Sequence, residues 1–170
     1  MQKQDFQAGD SQALYLILCS LTRRFTVDAA IRTIPLVFKL QDLVKDGTIK
    51  TTTIQRAVIA SIVEWLAMIA DYFHIENLSE YITSIRQQLQ EANAWTSAIF
   101  AEQLTSTNEA GFSTGDANNN TPITVYVDRH VVVEQLTNER QLRDKHDTHG
   151  LELESKLYVE WGSQAFGKQM

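Results

Sequence analysis

Apolar residues along this chain recur every three or four positions, the period of an α-helix, through most of its length. The clearest run follows Thr51–Thr53, where Ile54, Val58, Ile62, Trp65, Leu66, Ile69 and Phe73 recur without an intervening Gly or Pro. This run is apolar on more than one side, which predicts a helix buried between neighbours. Upstream, Leu14, Ile17, Leu18 and Leu21 predict a helix from Asp10 to Arg24, with Asp10 or Ser11 as its cap. Val27, Ile31, Ile34, Phe38 and Leu43 or Val44 predict a second, from a Thr26 cap to about Lys45. Pro35 lies within that second pattern. Its ring removes an N–H and crowds the carbonyl of Ile31, so a kink or break is expected there. Asp46-Gly47 then stops the helix, Gly47 being free to take the left-handed conformation.

Downstream, Leu78, Ile82, Ile85 and Leu89 predict a helix starting near Asn77, with Glu80 completing a capping box, and ending near Ala92–Asn93. A short helix from Trp95 to about Gln103 follows. Residues 105–124 are rich in Thr, Ser, Asn, Gly and Asp and predict a mobile loop, because little there buries enough apolar area to offset the entropy of ordering. Val132, Val133, Leu136 and Leu142 predict a polar helix from Asp128 to about Lys145, with Glu139–Arg143 and Arg140–Asp144 pairs on its exposed face and Gly150 as its break. A last amphipathic piece, Leu151 to Trp161, carries Leu153, Leu157, Tyr158 and Trp161 on a narrow stripe. The chain thus divides into a helical region (1–104), a polar loop (105–124) and a C-terminal helical segment (125–170).

The expected fold class is all-α. Helices two and three form an antiparallel pair with a proline in its first member, and helix four with residues 95–103 forms a shorter pair. Pairs of this length are what HEAT or armadillo repeats look like, and such pairs stack because one alone cannot bury its own face. A compact helical bundle is the alternative.

Composition narrows the function classes. With 21 acidic against 15 basic residues the formal charge is −6, which argues against a nucleic-acid partner. Cys19 is the single cysteine, so no disulfide framework exists and a reducing, cytoplasmic compartment is favoured. The N-terminus is polar and does not read as a signal peptide. The longest apolar stretches, Leu14–Leu21 and Val58–Ala70, are expected to be too short or, at Glu64, too interrupted to span a bilayer.

Three stretches carry a family resemblance: Ile34-Pro-Leu-Val-Phe-Lys-Leu-Gln-Asp-Leu-Val44, Gln55-Arg-Ala-Val-Ile-Ala-Ser-Ile-Val-Glu-Trp-Leu66 and Leu78-Ser-Glu-Tyr-Ile82. They resemble the C-terminal part of the rolling blackout, or Efr-three, family, through the Leu-Gln-Asp-Leu element and the Arg-Ala-x-x-x-x-x-Val helix. The resemblance implies a HEAT-type rod at the cytoplasmic face of the plasma membrane. Such a rod is a non-catalytic scaffold that recruits a phosphatidylinositol 4-kinase complex through a tetratricopeptide-type adaptor. The family's basic membrane-binding patch lies in an N-terminal region outside the match, so membrane contact by this chain is expected to be indirect.

Candidate chemistry is sparse. His146 and His149, at i and i+3, can face one metal, with Asp144 or Asp147 adding an oxygen; this supports the alternative of a small helical metal-dependent regulator or enzyme. Zinc wants four ligands, and a Gly-terminated helix end accounts for the same residues, so no metal or other cofactor is expected. Cys19 reads as a buried apolar thiol rather than a nucleophile. There is no Gly-rich phosphate loop or His-Glu-x-x-His pattern. Glu64 reads as a structural acid paired with a base such as Arg56 or Arg86. Arg23, Arg24, Arg32 and Lys39, interleaved with Asp28 and Asp42, read as a solvated face. The stripe of Leu153, Leu157, Tyr158 and Trp161 is the best candidate for binding a protein partner, since aromatics on a short helix are favoured anchors. The same stripe can instead fold back and close the end of the helical stack.

Overall fold

The computed structural model describes residues 8–95, 122–146 and 151–160. All the regular structure among these residues is helical. The helices are α1 (Ala8–Lys45), α2 (Thr52–Tyr72), α3 (Glu76–Glu91), α4 (Arg129–Asn138), α5 (Arg140–His146) and α6 (Leu151–Leu157).

Helix α1 is one continuous element of 38 residues, which corrects the expected pair of helices divided at Phe25-Thr26. The reason is phase. Leu18, Thr22, Ala30, Ile34, Phe38, Gln41 and Val44 are buried at steps of three, four or twice four, so a break at Thr26 would rotate the second half of the stripe off the core. No Gly or Pro near residue 25 forces a stop. Pro35 lies inside α1 and does not end it. Its missing hydrogen bond costs about 3 kcal/mol in a helix interior, and the complete burial of Ile34 and Val37 on either side offsets this.

Helix α1 ends through Gly47, whose φ of 77° is left-handed, with the Gly47 N–H donating to the Val44 carbonyl at 3.3 Å. Helix α2 then returns along α1. Twelve of its residues are buried, from Arg56 to Ala70, so it is the central helix of the fold. The Trp65 indole N–H donates to the Thr22 hydroxyl at 3.2 Å, and that hydroxyl donates to the Leu18 carbonyl at 2.9 Å, tying α2 to the N-terminal half of α1. Contrary to the expectation from Glu64, α2 as a whole is long and apolar enough to cross a membrane by length and composition; here most of it is buried against other helices.

A three-residue link folds the chain back again. His74 takes the left-handed conformation (φ 55°), the His74 N–H donates to the Asp71 carbonyl, and the Ile75 N–H reaches the Ala70 carbonyl at 2.9 Å. This Schellman arrangement buries Ile75 and starts α3 at once, so Ile75 is the N-cap and the expected Asn77–Glu80 capping box does not form. Leu78, Ile82, Ile85 and Leu89 face inward as the stripe predicted. Asn93 (φ 52°) repeats the device at the C-terminus, with the Ala94 N–H on the Leu89 carbonyl at 2.8 Å.

The C-terminal segment departs furthest from expectation. Residues 122–128 run without helix, and Ile123 and Val127 are buried, so the boundary of the predicted loop at residue 124 falls inside a packed segment. The expected single helix from Asp128 to Lys145 is two, broken at Glu139, whose backbone is extended (ψ 121°) and whose carboxylate accepts from the Gln141 N–H at 3.3 Å. Of the predicted surface pairs, Arg140–Asp144 forms at 3.5 Å. Helix α6 stops at Leu157. The core is one contiguous cluster that runs from Leu18 in α1 to Leu157 in α6. The predicted helix at 95–103 and most of the predicted loop lie outside the described residues.

Candidate functional site

The C-terminal segment is held by side chains on α1, α3 and α4. Gln41, in the second half of α1, is almost wholly buried, and its amide bonds the backbone of Val127 twice. Its Nε2 donates to the Val127 carbonyl at 2.8 Å, and its Oε1 accepts from the Val127 N–H at 2.9 Å. A buried peptide group needs both bonds, and one primary amide supplies both. The next residue, Asp128, donates its N–H to the Tyr81 hydroxyl of α3 at 2.8 Å. The Asp128 carboxylate accepts from the His130 N–H at 2.8 Å and so caps α4.

Arg129 then joins α4 to the end of α6. Its Nη2 donates to the carbonyls of Leu157 (2.8 Å) and Val159 (3.1 Å), which have no partner further along a helix. Its Nη1 lies 3.6 Å from Glu160, and the guanidinium stacks over Phe38 and Tyr158 at 5.6 and 5.4 Å from the ring centres. His130 Nδ1 lies 2.8 Å from the Tyr158 hydroxyl. Burial and then the Glu154 carboxylate push the Tyr158 phenol above its ordinary value, so the hydroxyl stays protonated.

This arrangement places three of the four residues of the predicted binding stripe. Leu153 and Leu157 are buried in the chain's own core. Tyr158 is half-buried between Arg129 and His130, Val159 is 48% exposed, and Trp161 lies outside the described residues. The inward leucines thus anchor a short tip at 158–160, in which Val159 and Glu160 are exposed. Val159, exposed in that tip, was not singled out from the sequence, because it falls outside the helical stripe.

Beside this junction an open groove of ≈ 490 Å³ is lined by Phe38, Gln41, Asp42, Lys45, Tyr126 and Arg129, among others. Lys45 lies over the Tyr126 ring at 5.1 Å. Charges of both signs line it, and Gln41 and Arg129 are already committed to Val127 and the end of α6.

The remaining candidates fall elsewhere. Glu64 pairs with Arg86 at 2.8 Å, one of the two partners expected for it. Arg86 also sits over the Trp95 ring at 5.6 Å. Cys19 is buried, and that burial pushes its thiol up, away from the reactive thiolate. Tyr15 beside it is pushed up to about 12, first by burial and then by its hydrogen bond with Cys19. His149 and the side chain of His146 lie outside the described residues, and among the described residues no three His, Cys, Asp or Glu side chains cluster to hold a metal.

No family model, curated protein or solved structure matches this chain.

Proposed function

We propose that this chain is a non-catalytic helical scaffold that acts through protein–protein contacts, and that its C-terminal tip is a docking point. The observation that carries this reading is the anchored tip: two buried leucines and the Arg129 clamp hold residues 158–160 in place, while Val159 remains exposed. A protein that fixes an exposed apolar side chain with this many bonds has lowered the entropy a partner must otherwise pay on binding. The antiparallel α1–α2 pair, with Pro35 in its first helix, agrees with a HEAT-type unit. The resemblance to the rolling blackout family extends the reading to recruitment of a phosphatidylinositol 4-kinase complex, at the cytoplasmic face of the plasma membrane, through a tetratricopeptide-type adaptor.

The test is binding of such an adaptor to the immobilised chain. Val159→Asp and Trp161→Ala should each weaken it at least ~10-fold, the scale of losing one interface anchor, while the melting curve stays put. Unchanged binding by both variants refutes the docking role of the tip.

A further inference from the structure

We propose that the stretch Thr124–Tyr126 is an open strand edge, on which an extended basic peptide of a partner protein pairs through its main chain. Every residue of Ile123-Thr-Val-Tyr-Val127 is β-branched or aromatic, the composition of a strand. The chain runs through 122–128 without helix, turn or bend, and every φ there is negative. It has no ladder partner among the described residues. Pro122 has no N–H with which to lengthen the edge, and Asp128 ends it by capping α4.

In an extended chain the N–H and C=O groups of successive residues point to opposite edges. One edge of this stretch is served from within. Gln41 bonds both groups of Val127, and the Tyr126 hydroxyl donates to the Ile123 carbonyl at 3.0 Å. The other edge carries Thr124, Tyr126 and Asp128. The Asp128 N–H meets the Tyr81 hydroxyl, whereas the N–H and C=O groups of Thr124 and Tyr126 have no partner among the described residues. Groups in that register are the complement of one short antiparallel strand. A partner residue opposite Thr124 or Tyr126 turns its side chain to the same face as theirs, which is the face of the open groove of ≈ 490 Å³. Within that groove Arg129 is matched by Glu160 at 3.6 Å, which leaves Asp42 and Asp128 against Lys45 and favours a basic side chain. The net charge of −6 argues against a second copy of this chain as the added strand. Thr124 and Tyr126 take no part in holding the 158–160 tip, so this contact and the docking role of the tip fail separately.

Nuclear magnetic resonance of the whole chain, titrated with the end-blocked peptide Thr-Val-Lys-Val-Thr, tests this. In the free chain the Thr124 and Tyr126 amides should exchange with solvent far faster than the Val127 amide. With peptide added to ~1 mM they should shift downfield and gain protection. Methylating the backbone nitrogen of the peptide's Lys, which faces the edge in this register, should abolish the shifts; methylating those of both Val residues, which face away, should spare them. Thr124→Pro should weaken binding at least ~10-fold with an unchanged melting curve, because Thr124 is exposed. Asp42→Lys should weaken it about fivefold and favour Thr-Val-Glu-Val-Thr instead. Val159→Asp should leave it intact. No shift at ~1 mM peptide overturns the proposal. So does equal or reversed sensitivity to the two methylations, or indifference to Asp42→Lys. Protection of the Thr124 and Tyr126 amides before any peptide is added overturns it by showing that the chain covers its own edge. A dimer in sedimentation velocity that Thr124→Pro abolishes overturns it by naming a second copy as the occupant.

Discussion

Replacing Gln41 with leucine tests whether the C-terminal segment belongs to the same cooperative unit as the α1–α2 pair. The substitution keeps the volume nearly constant and leaves the backbone alone. It removes both hydrogen bonds to Val127 and leaves a buried N–H and a buried carbonyl without partners. Each such orphan costs about 1–3 kcal/mol, so the total loss is about 3 kcal/mol. A domain of this size is held by roughly 10 kcal/mol, so the loss is a large fraction of it. Urea denaturation followed by far-ultraviolet circular dichroism measures it, and the midpoint should fall with the slope unchanged. The melting temperature should drop by about 6–12 °C. Gln88→Leu, an exposed position on α3, serves as the control and should move stability by under ~0.5 kcal/mol. Gln41→Glu adds a pH signature. Protonated, a carboxyl can accept from the Val127 N–H and donate to the Val127 carbonyl, as the amide does. Burial raises the folded-state value of this new acid above its ordinary ~4.3, so the stability it contributes is present below ~4.3 and is lost as pH rises through the folded value. The variant should therefore lie nearest the wild type around pH 4 and fall behind it toward neutrality. A Gln41→Leu loss of less than ~1 kcal/mol, or a Gln41→Glu deficit independent of pH, refutes the two-bond reading of this contact.

Three further outcomes follow from the same geometry. Arg129→Met keeps much of the apolar stem and removes the donors to Leu157 and Val159, so hydrogen exchange should show lost protection across 151–160 while α2 amides keep theirs; equal loss in both regions would count against a local clamp. Trp65→Phe should cost about 1–3 kcal/mol in chemical denaturation, because it removes the N–H donor to Thr22 and leaves space beside a fully buried ring, and Thr22→Val in the same background should add little more. Tyr15 should ionise near pH 12, so the stability its raised value contributes is present below the ordinary value of 10 and is lost between 10 and about 12. Tyr15→Phe should remove both the late step in an ultraviolet phenol titration and that part of the alkaline loss; a titration with no late component removed by Tyr15→Phe contradicts the burial of this ring.

The parts of the fold legible in the sequence are those governed by one helix at a time. The stripe from Ile54 to Phe73 located α2 within a residue or two, because a run without Gly or Pro and apolar on several sides admits few other structures. Leu78, Ile82, Ile85 and Leu89 likewise marked the buried face of α3. Errors arose where a local preference competed with packing. Thr26 is a good N-cap by type, yet the in-phase burial from Leu18 to Val44 carries the helix through it. Asn77 and Glu80 match a capping box, yet the turn at His74 already delivers Ile75 into the core and begins α3 earlier. The C-terminal segment was least legible, and the cause is sequence distance. Val127 is positioned by Gln41, which lies 86 residues away, and no pattern around either residue announces the other.

That distance also bears on the tip. The stripe of Leu153 and Leu157 reads equally well as an interface or as core from local periodicity, because both need an apolar face on a short helix. Only the neighbours decide. Phe38 and Tyr158 flank the Arg129 guanidinium, and Arg129 in turn holds the carbonyls after α6, so the leucines face inward. A helix of seven residues is too short to be stable alone, and its anchoring residues must be spent on the fold. Under the proposed docking role, what is left for a partner is what those anchors project outward, which is why Val159 rather than Leu153 is the side chain whose replacement separates docking from folding.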